Sequence, residues 1–185
     1  GTWRVRIEDL EAPRCIAGMD QHILAQLQAW GLAWDEEVIW QSQQLSAYQN
    51  ALETLYSDQQ IYPCTCSRQQ ITSALSSQGK LRARNQEQIY PGTCRHGYVW
   101  QAQLPKTSSP SAWRLALKPE QVIHFSDAEF GLQEQNLNTD VGDFVLLRAD
   151  GIVAYQLAVV VDDARQGITH IVRGADLLSN TARQM

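Results

Sequence analysis

Trp3, Val5 and Ile7 alternate with Arg4 and Arg6, the period of two that marks a strand, and the pattern stops at Glu8-Asp9. Ala12-Pro13 then breaks the chain. From Gly18 to Trp30 the period changes: Ile23, Leu27 and Trp30 fall on one helical face, Asp20 lies early and Gly31 supplies a stop. Leu45 to Tyr56 repeats the helical pattern through Tyr48, Leu52 and Leu55. After a cysteine-containing segment, Thr107-Ser108-Ser109-Pro110-Ser111 reads as a loop. Trp113, Leu115 and Leu117 alternate as a short strand, and Val122, His124 and Phe125 start another. Tyr155 to Val161 fits strand or helix. Ile168 to Val172 is a β-branched run ended by Gly174, expected as a strand. Strands and helices in alternation predict an α/β domain, with residues from about Tyr62 to His96 as an inserted module. The divisions are then 1–61, 62–96 and 97–185.

Composition narrows the class. At 185 residues and 44% hydrophobic, the chain has enough apolar material for a core, which argues against disorder. Mean hydropathy is −0.33, and no stretch approaches the ~20 consecutive apolar residues of a membrane-spanning helix, so a membrane protein is not expected. Four cysteines are too few for a disulfide scaffold, and two of them form Cys64-Thr65-Cys66. That suggests metal in a reducing compartment, with cytoplasm as the expected location. The opening Gly1-Thr2-Trp3-Arg4 reads as a cut from a longer protein. Net charge is −5, yet Cys64 to His96 carries Arg68, Lys80, Arg82, Arg84 and Arg95 against Glu87 alone. That +4 segment is either a solvated loop or a local phosphate-facing surface.

Cys64-Thr65-Cys66 followed by Tyr90-Pro91-Gly92-Thr93-Cys94 is the strongest cluster of chemistry. Three thiolates supply most of a tetrahedral Zn²⁺ shell. The fourth ligand stays open between His96, which needs no deprotonation, and Tyr90, whose phenol must lose a proton. Cys15, beside a proline, reads as a packing residue, and Asp162-Asp163 as an exposed helix end or turn. Glu8 and Arg173 follow the two β-patterned runs, and ligands of open α/β sheets collect at the carboxyl ends of strands. A carboxylate and a guanidinium there suit a small zwitterion. Surface ion pairs are the simpler alternative. No Gly-rich phosphate loop or nucleophile elbow is visible.

Several motifs occur in order: Arg6-Ile7-Glu8-Asp9-Leu10 with Pro13-Arg14, Gly31-Leu32-Ala33-Trp34-Asp35, Trp40-Gln41-Ser42-Gln43, and Tyr90 to Arg95. Ala154 to Asp163 and Ile171 to Leu178 follow, with Thr181 and Arg183-Gln184 after them. Together they resemble the glutamyl-Q tRNA(Asp) synthetases, short paralogues of glutamyl-tRNA synthetase, over essentially the whole chain.

The resemblance implies a Rossmann-type class I aminoacyl-tRNA synthetase core with a small zinc-binding insertion. It implies an ATP-dependent ligase: glutamate attacks the ATP α-phosphate, with Mg²⁺, and is then transferred to queuosine at the wobble position of tRNA(Asp). Carried over by position, Glu8, Tyr155 and Arg173 bind L-glutamate, and Cys64, Cys66, Tyr90 and Cys94 bind Zn²⁺. Tyr155 falls on a helix. No side chain serves as a covalent nucleophile. The family's His-containing ATP motif is expected before Gly1 and its Lys-Ser loop after Met185, so the 185 residues alone are expected not to activate glutamate. His96 departs from the family, since Cys-x-His here is the pattern of the longer glutamyl-tRNA synthetases. The rival readings are a core fragment of such a synthetase and a zinc-stapled RNA-binding module.

Overall fold

The computed structural model describes residues 1–83, 86–105 and 110–185. Thr107, Ser108 and Ser109 of the expected loop and Arg84 of the basic segment lie outside the described residues. Two compact units are present, Gly1–Gln49 and Asn50–Met185.

In the first unit the opening alternation yields a short strand, β1 (Arg6–Ile7), parallel to β2 (Ile39–Trp40), with Arg6 opposite Ile39. Trp3 stays outside the ladder: its N–H donates to the Asp35 carboxylate at 2.7 Å. Helix α1 (Met19–Ala29) carries Asp20 in its first turn, where a carboxylate complements the helix dipole. It ends as expected at Gly31, whose φ of +76° allows Leu32 N–H to reach Leu27 C=O at 2.9 Å. The expected apolar face is displaced. Leu24 is the buried residue of this helix, whereas Ile23 and Trp30 are 43% and 84% exposed. Cys15 follows a 3₁₀ turn (Ala12–Arg14) and is exposed, so it is not a packing residue.

Helix α2 (Leu45–Ser57) buries Tyr48, Leu52 and Tyr56, an i, i+4, i+8 stripe. The second unit continues with β3 (Ile61–Cys64), then α3 (Arg68–Ser77). Ser67 and Gln70 form a capping box that starts α3 immediately after Cys66. Strand β4 (Ala112–Leu115) pairs antiparallel with β3, setting Cys64 opposite Ala112. A hairpin of β5 (Val122–Asp127) and β6 (Gly131–Asn136) follows, then the short α4 (Leu137–Asp140). Strand β7 (Val145–Leu147) returns to the other edge of β4, giving the order β3-β4-β7. Helix α5 (Tyr155–Gln166) resolves the ambiguous segment as a helix and buries Leu157, Ala158, Val159 and Asp162. Asp162 therefore lies inside the fold and not at an exposed helix end. A 3₁₀ turn (Ala175–Asn180) and α6 (Thr181–Gln184) close the unit.

One expected strand does not form. Ile168 to Val172 joins no ladder, and Val172 is 99% exposed. A strand exists only through hydrogen bonds to a neighbour, and no described strand pairs with this run. Arg173 thus follows an irregular segment, not a strand end.

Asp143, 6% exposed, holds the second unit together at one point. Its carboxylate accepts from Tyr62 Oη at 2.6 Å, Leu117 N–H at 2.9 Å and Arg95 Nη1 at 3.2 Å. Burial, and then the bond to this carboxylate, hold the Tyr62 phenol well above its usual range. Removing one partner of such a pair leaves donors unpaired in a dry site. Asp143→Ala should therefore cost about 3 kcal/mol, and Asp143→Asn, which keeps one acceptor oxygen, less. Urea midpoints of the two variants check this, and a wild-type midpoint for Asp143→Ala would refute it.

Candidate metal centre and substrate-binding residues

The end of β3 delivers Cys64, and the turn into α3 delivers Cys66. The Tyr90–Cys94 turn approaches from the other side. Gly142 permits that approach: its φ is +70°, and a Cβ there would meet Ile89 Cγ2 at 2.6 Å and the Tyr90 backbone N at 3.2 Å. The residue bridges to Tyr90 in parallel register. The three Sγ atoms of Cys64, Cys66 and Cys94 lie within 4.8 Å of one another. Among the described residues, no histidine or carboxylate joins that group.

Tyr90 does join it. Its hydroxyl accepts the Cys94 N–H at 2.7 Å and the Cys64 thiol at 3.4 Å, and lies 3.6 Å from Cys66 Sγ. The Arg114 guanidinium sits 4.0 Å over the Tyr90 ring, a position that favours negative charge on the phenol. Burial still holds the metal-free Tyr90 phenol above its ordinary range. Burial also pushes the Cys66 thiol up to about 11. At Cys94 burial acts in the same direction, but hydrogen bonds from Tyr90, the Thr65 backbone and the other cysteines outweigh it, bringing this thiol down to about 7. The cluster could bind a soft metal cation.

The basic segment is only partly turned to solvent. Arg95 is engaged with Asp143 and the Leu117 carbonyl, and Arg82 donates to the carbonyls of Thr139 and Asp140. Arg68 and Lys80 are exposed. Of the basic side chains considered for a local phosphate-facing surface, Arg82 and Arg95 are thus engaged within the fold, and Arg68 and Lys80 face solvent.

Glu8 belongs to the first unit and accepts from Arg6 Nη2 at 3.3 Å. Asp9 beside it is structural: its two oxygens accept the Ser42 N–H and Oγ at 2.8 and 2.6 Å. Tyr155 and Arg173 belong to the second unit. Tyr155 opens α5 and is 37% exposed. Arg173 is half-buried, donating to Gln184 Oε1 at 2.5 Å and Thr181 Oγ1 at 2.6 Å. The sequence reading missed Asp143, Arg114 and the glutamines around Arg173. An acid flanked by Val141, Phe144 and Val145 is the one signal that marked Asp143.

The family model "tRNA synthetases class I (E and Q), catalytic domain" matches residues 1–185, and the chain belongs to that family. Among its relatives, the "Glutamyl-Q tRNA(Asp) synthetase" of Albidiferax ferrireducens is 50% identical over 199 aligned positions, covering 100% of this chain and 64% of the relative. That of Thiobacillus denitrificans is also 50% identical, covering 100% of this chain and 57% of the relative. The chain thus spans about 60% of the length of these relatives. A glutamate tRNA ligase structure from Elizabethkingia meningosepticum, in complex with its amino acid, superposes with a TM-score of 0.79 at 23% identity. The match covers 100% of this chain and 39% of that one. A glutamate-tRNA synthetase of Elizabethkingia anophelis, also 23% identical, gives 0.76 over 100% of this chain and 40% of its own. At that identity the likeness establishes the fold, the Rossmann-type class I core expected from the motifs. No helix among the described residues is long and apolar enough to cross a membrane.

Proposed function

We propose that this chain is the core of a cytoplasmic ligase that activates L-glutamate with ATP and Mg²⁺, without tRNA, and passes the glutamyl group to queuosine of tRNA(Asp). The observation that carries this reading is 50% identity over the whole chain to proteins named for that activity. In the reaction the glutamate α-carboxylate attacks the ATP α-phosphate and pyrophosphate leaves. The residues given roles here bind and orient, and none forms a covalent intermediate. Arg173 pairs with the γ-carboxylate, Tyr155 supplies a hydroxyl, and Glu8 takes the ammonium. The inserted module spans 62–96, between core segments 1–61 and 97–185.

Cys64, Cys66, Cys94 and Tyr90 hold a structural zinc in the same reading. With Zn–S about 2.3 Å and Zn–O about 2.0 Å, a tetrahedron places sulfur and oxygen ligands roughly 3.5 Å apart. Tyr90 Oη lies 3.4 and 3.6 Å from Cys64 and Cys66 Sγ. A bound ion would fix the Tyr90–Cys94 turn to β3, and proton release from Tyr90 would accompany binding.

The functional reading is tested by glutamate-dependent pyrophosphate exchange in the full-length protein without tRNA, followed by transfer assays. Exchange should occur, and transfer should require tRNA(Asp) carrying queuosine. No exchange would reject an amino-acid-activating enzyme, and exchange that needs tRNA would indicate a longer-type glutamyl-tRNA synthetase.

A further inference from the structure

We infer that Gln184 and Gln156 are positioning residues that aim Arg173 while leaving its positive charge unneutralised. The inference rests on the proposed role of Arg173 toward the substrate carboxylate. A guanidinium is donor-only, with five N–H groups. Because Arg173 Nη1 donates to Gln184 Oε1, the Gln184 amide must turn its Nε2 outward, and this donates to Gln156 Oε1 at 3.1 Å. Gln156 is then constrained in the same way, and its Nε2 donates to Asn180 Oδ1 at 2.9 Å. The chain from Arg173 through Gln184 and Gln156 to Asn180 therefore runs in one direction, each amide accepting at one end and donating at the other. It joins α6 and the start of α5 to the segment that carries Arg173.

All these acceptors are neutral. Arg173 makes no ion pair among the described residues, unlike Arg95 with Asp143 or Arg183 with Glu87. A half-buried guanidinium held by neutral acceptors keeps its full charge for an incoming anion. Two N–H groups are held by Gln184 and Thr181, and the remaining three are left for a planar, bidentate carboxylate. A carboxylate at position 184 would keep the acceptor for Arg173 but neutralise the guanidinium in place, and the Gln156 amide would turn its Nε2 toward it. An apolar side chain there would keep the charge but free its orientation.

Q184E and Q184M in the full-length protein separate these effects. Q184E should raise KM for glutamate by about 10- to 100-fold, the span expected when one charged contact is misdirected, with KM for ATP unchanged. Its preference for glutamate over glutamine should fall as well. In NMR of arginine side chains, the hindered Nη rotation of Arg173 should persist in Q184E and be released in Q184M. Wild-type exchange with an unchanged glutamate KM in Q184E would overturn the inference and leave the functional reading standing. Absence of exchange in the wild type would overturn the functional reading. Hindered rotation in Q184M, with or without exchange, would show that Gln184 does not orient Arg173.

Discussion

Arg173→Ala in the full-length protein should reduce kcat/KM for glutamate by about 30- to 4,000-fold. Truncating one member of a desolvated charged pair costs about 2–5 kcal/mol, and each 1.4 kcal/mol is a factor of ten. The loss should fall on glutamate, since the proposed contact is to its γ-carboxylate. Glutamine, which offers an amide there, should lose far less, so the ratio between the two amino acids collapses toward unity. Arg173→Lys should recover only part of the activity, because an ammonium cannot serve Gln184, Thr181 and a carboxylate in one plane. Pyrophosphate exchange with each amino acid measures all of this. Unchanged glutamate kinetics in Arg173→Ala would assign the residue to α6 packing alone.

The second large effect concerns the metal. Protein purified without chelator should carry one zinc per chain by elemental analysis, and Cys94→Ser should carry none. Tyr90→Phe should weaken zinc by more than the about 10–100-fold typical of a residue one shell further out, because it removes a ligand atom. His96→Ala should retain zinc, since His96 stands outside the sulfur cluster. Cys15→Ser should change neither metal content nor stability, its side chain being exposed. Retention of zinc by Tyr90→Phe together with its loss from His96→Ala would exchange the assignments of the fourth ligand.

Local chemistry was what the sequence displayed best. Helix α2 could be read from Tyr48 and Leu52 because a buried stripe repeats at the helical period. The Gly31 stop was equally visible, because few residues other than glycine adopt φ near +76° without strain. Strand β6 was not visible: Gln133, Glu134, Gln135 and Asn136 are polar, and they form a strand only because β5 offers a matching ladder, Val122 opposite Asn136. Ile168 to Val172 failed for the converse reason, having β-branched residues but no neighbour among the described strands. At the site, the three sulfurs could be suspected from Cys64-Thr65-Cys66 and Cys94. Asp143 could not be linked to them, because its partners Tyr62 and Arg95 lie 81 and 48 positions away. The polarity of the Gln184–Gln156 chain was equally hidden, since it depends on which amide atom faces a guanidinium.

The distance in sequence between Asp143 and its partners also bears on how the protein is made. A chain grows from its N-terminus at about 5–20 residues per second, so Cys64, Cys66, Tyr90 and Cys94 are all synthesised before Asp143 exists. During that interval Arg95 and Tyr62 lack their buried acceptor, and Gly142 is not yet available for the Tyr90 backbone to lie against. The segment that carries these thiols is therefore synthesised before the contacts that fix it in place. Closure over 48 and 81 residues is entropically slow. Under the proposed zinc reading, all four ligands are therefore complete in the growing chain before the acid that locks the sheet beside them is made.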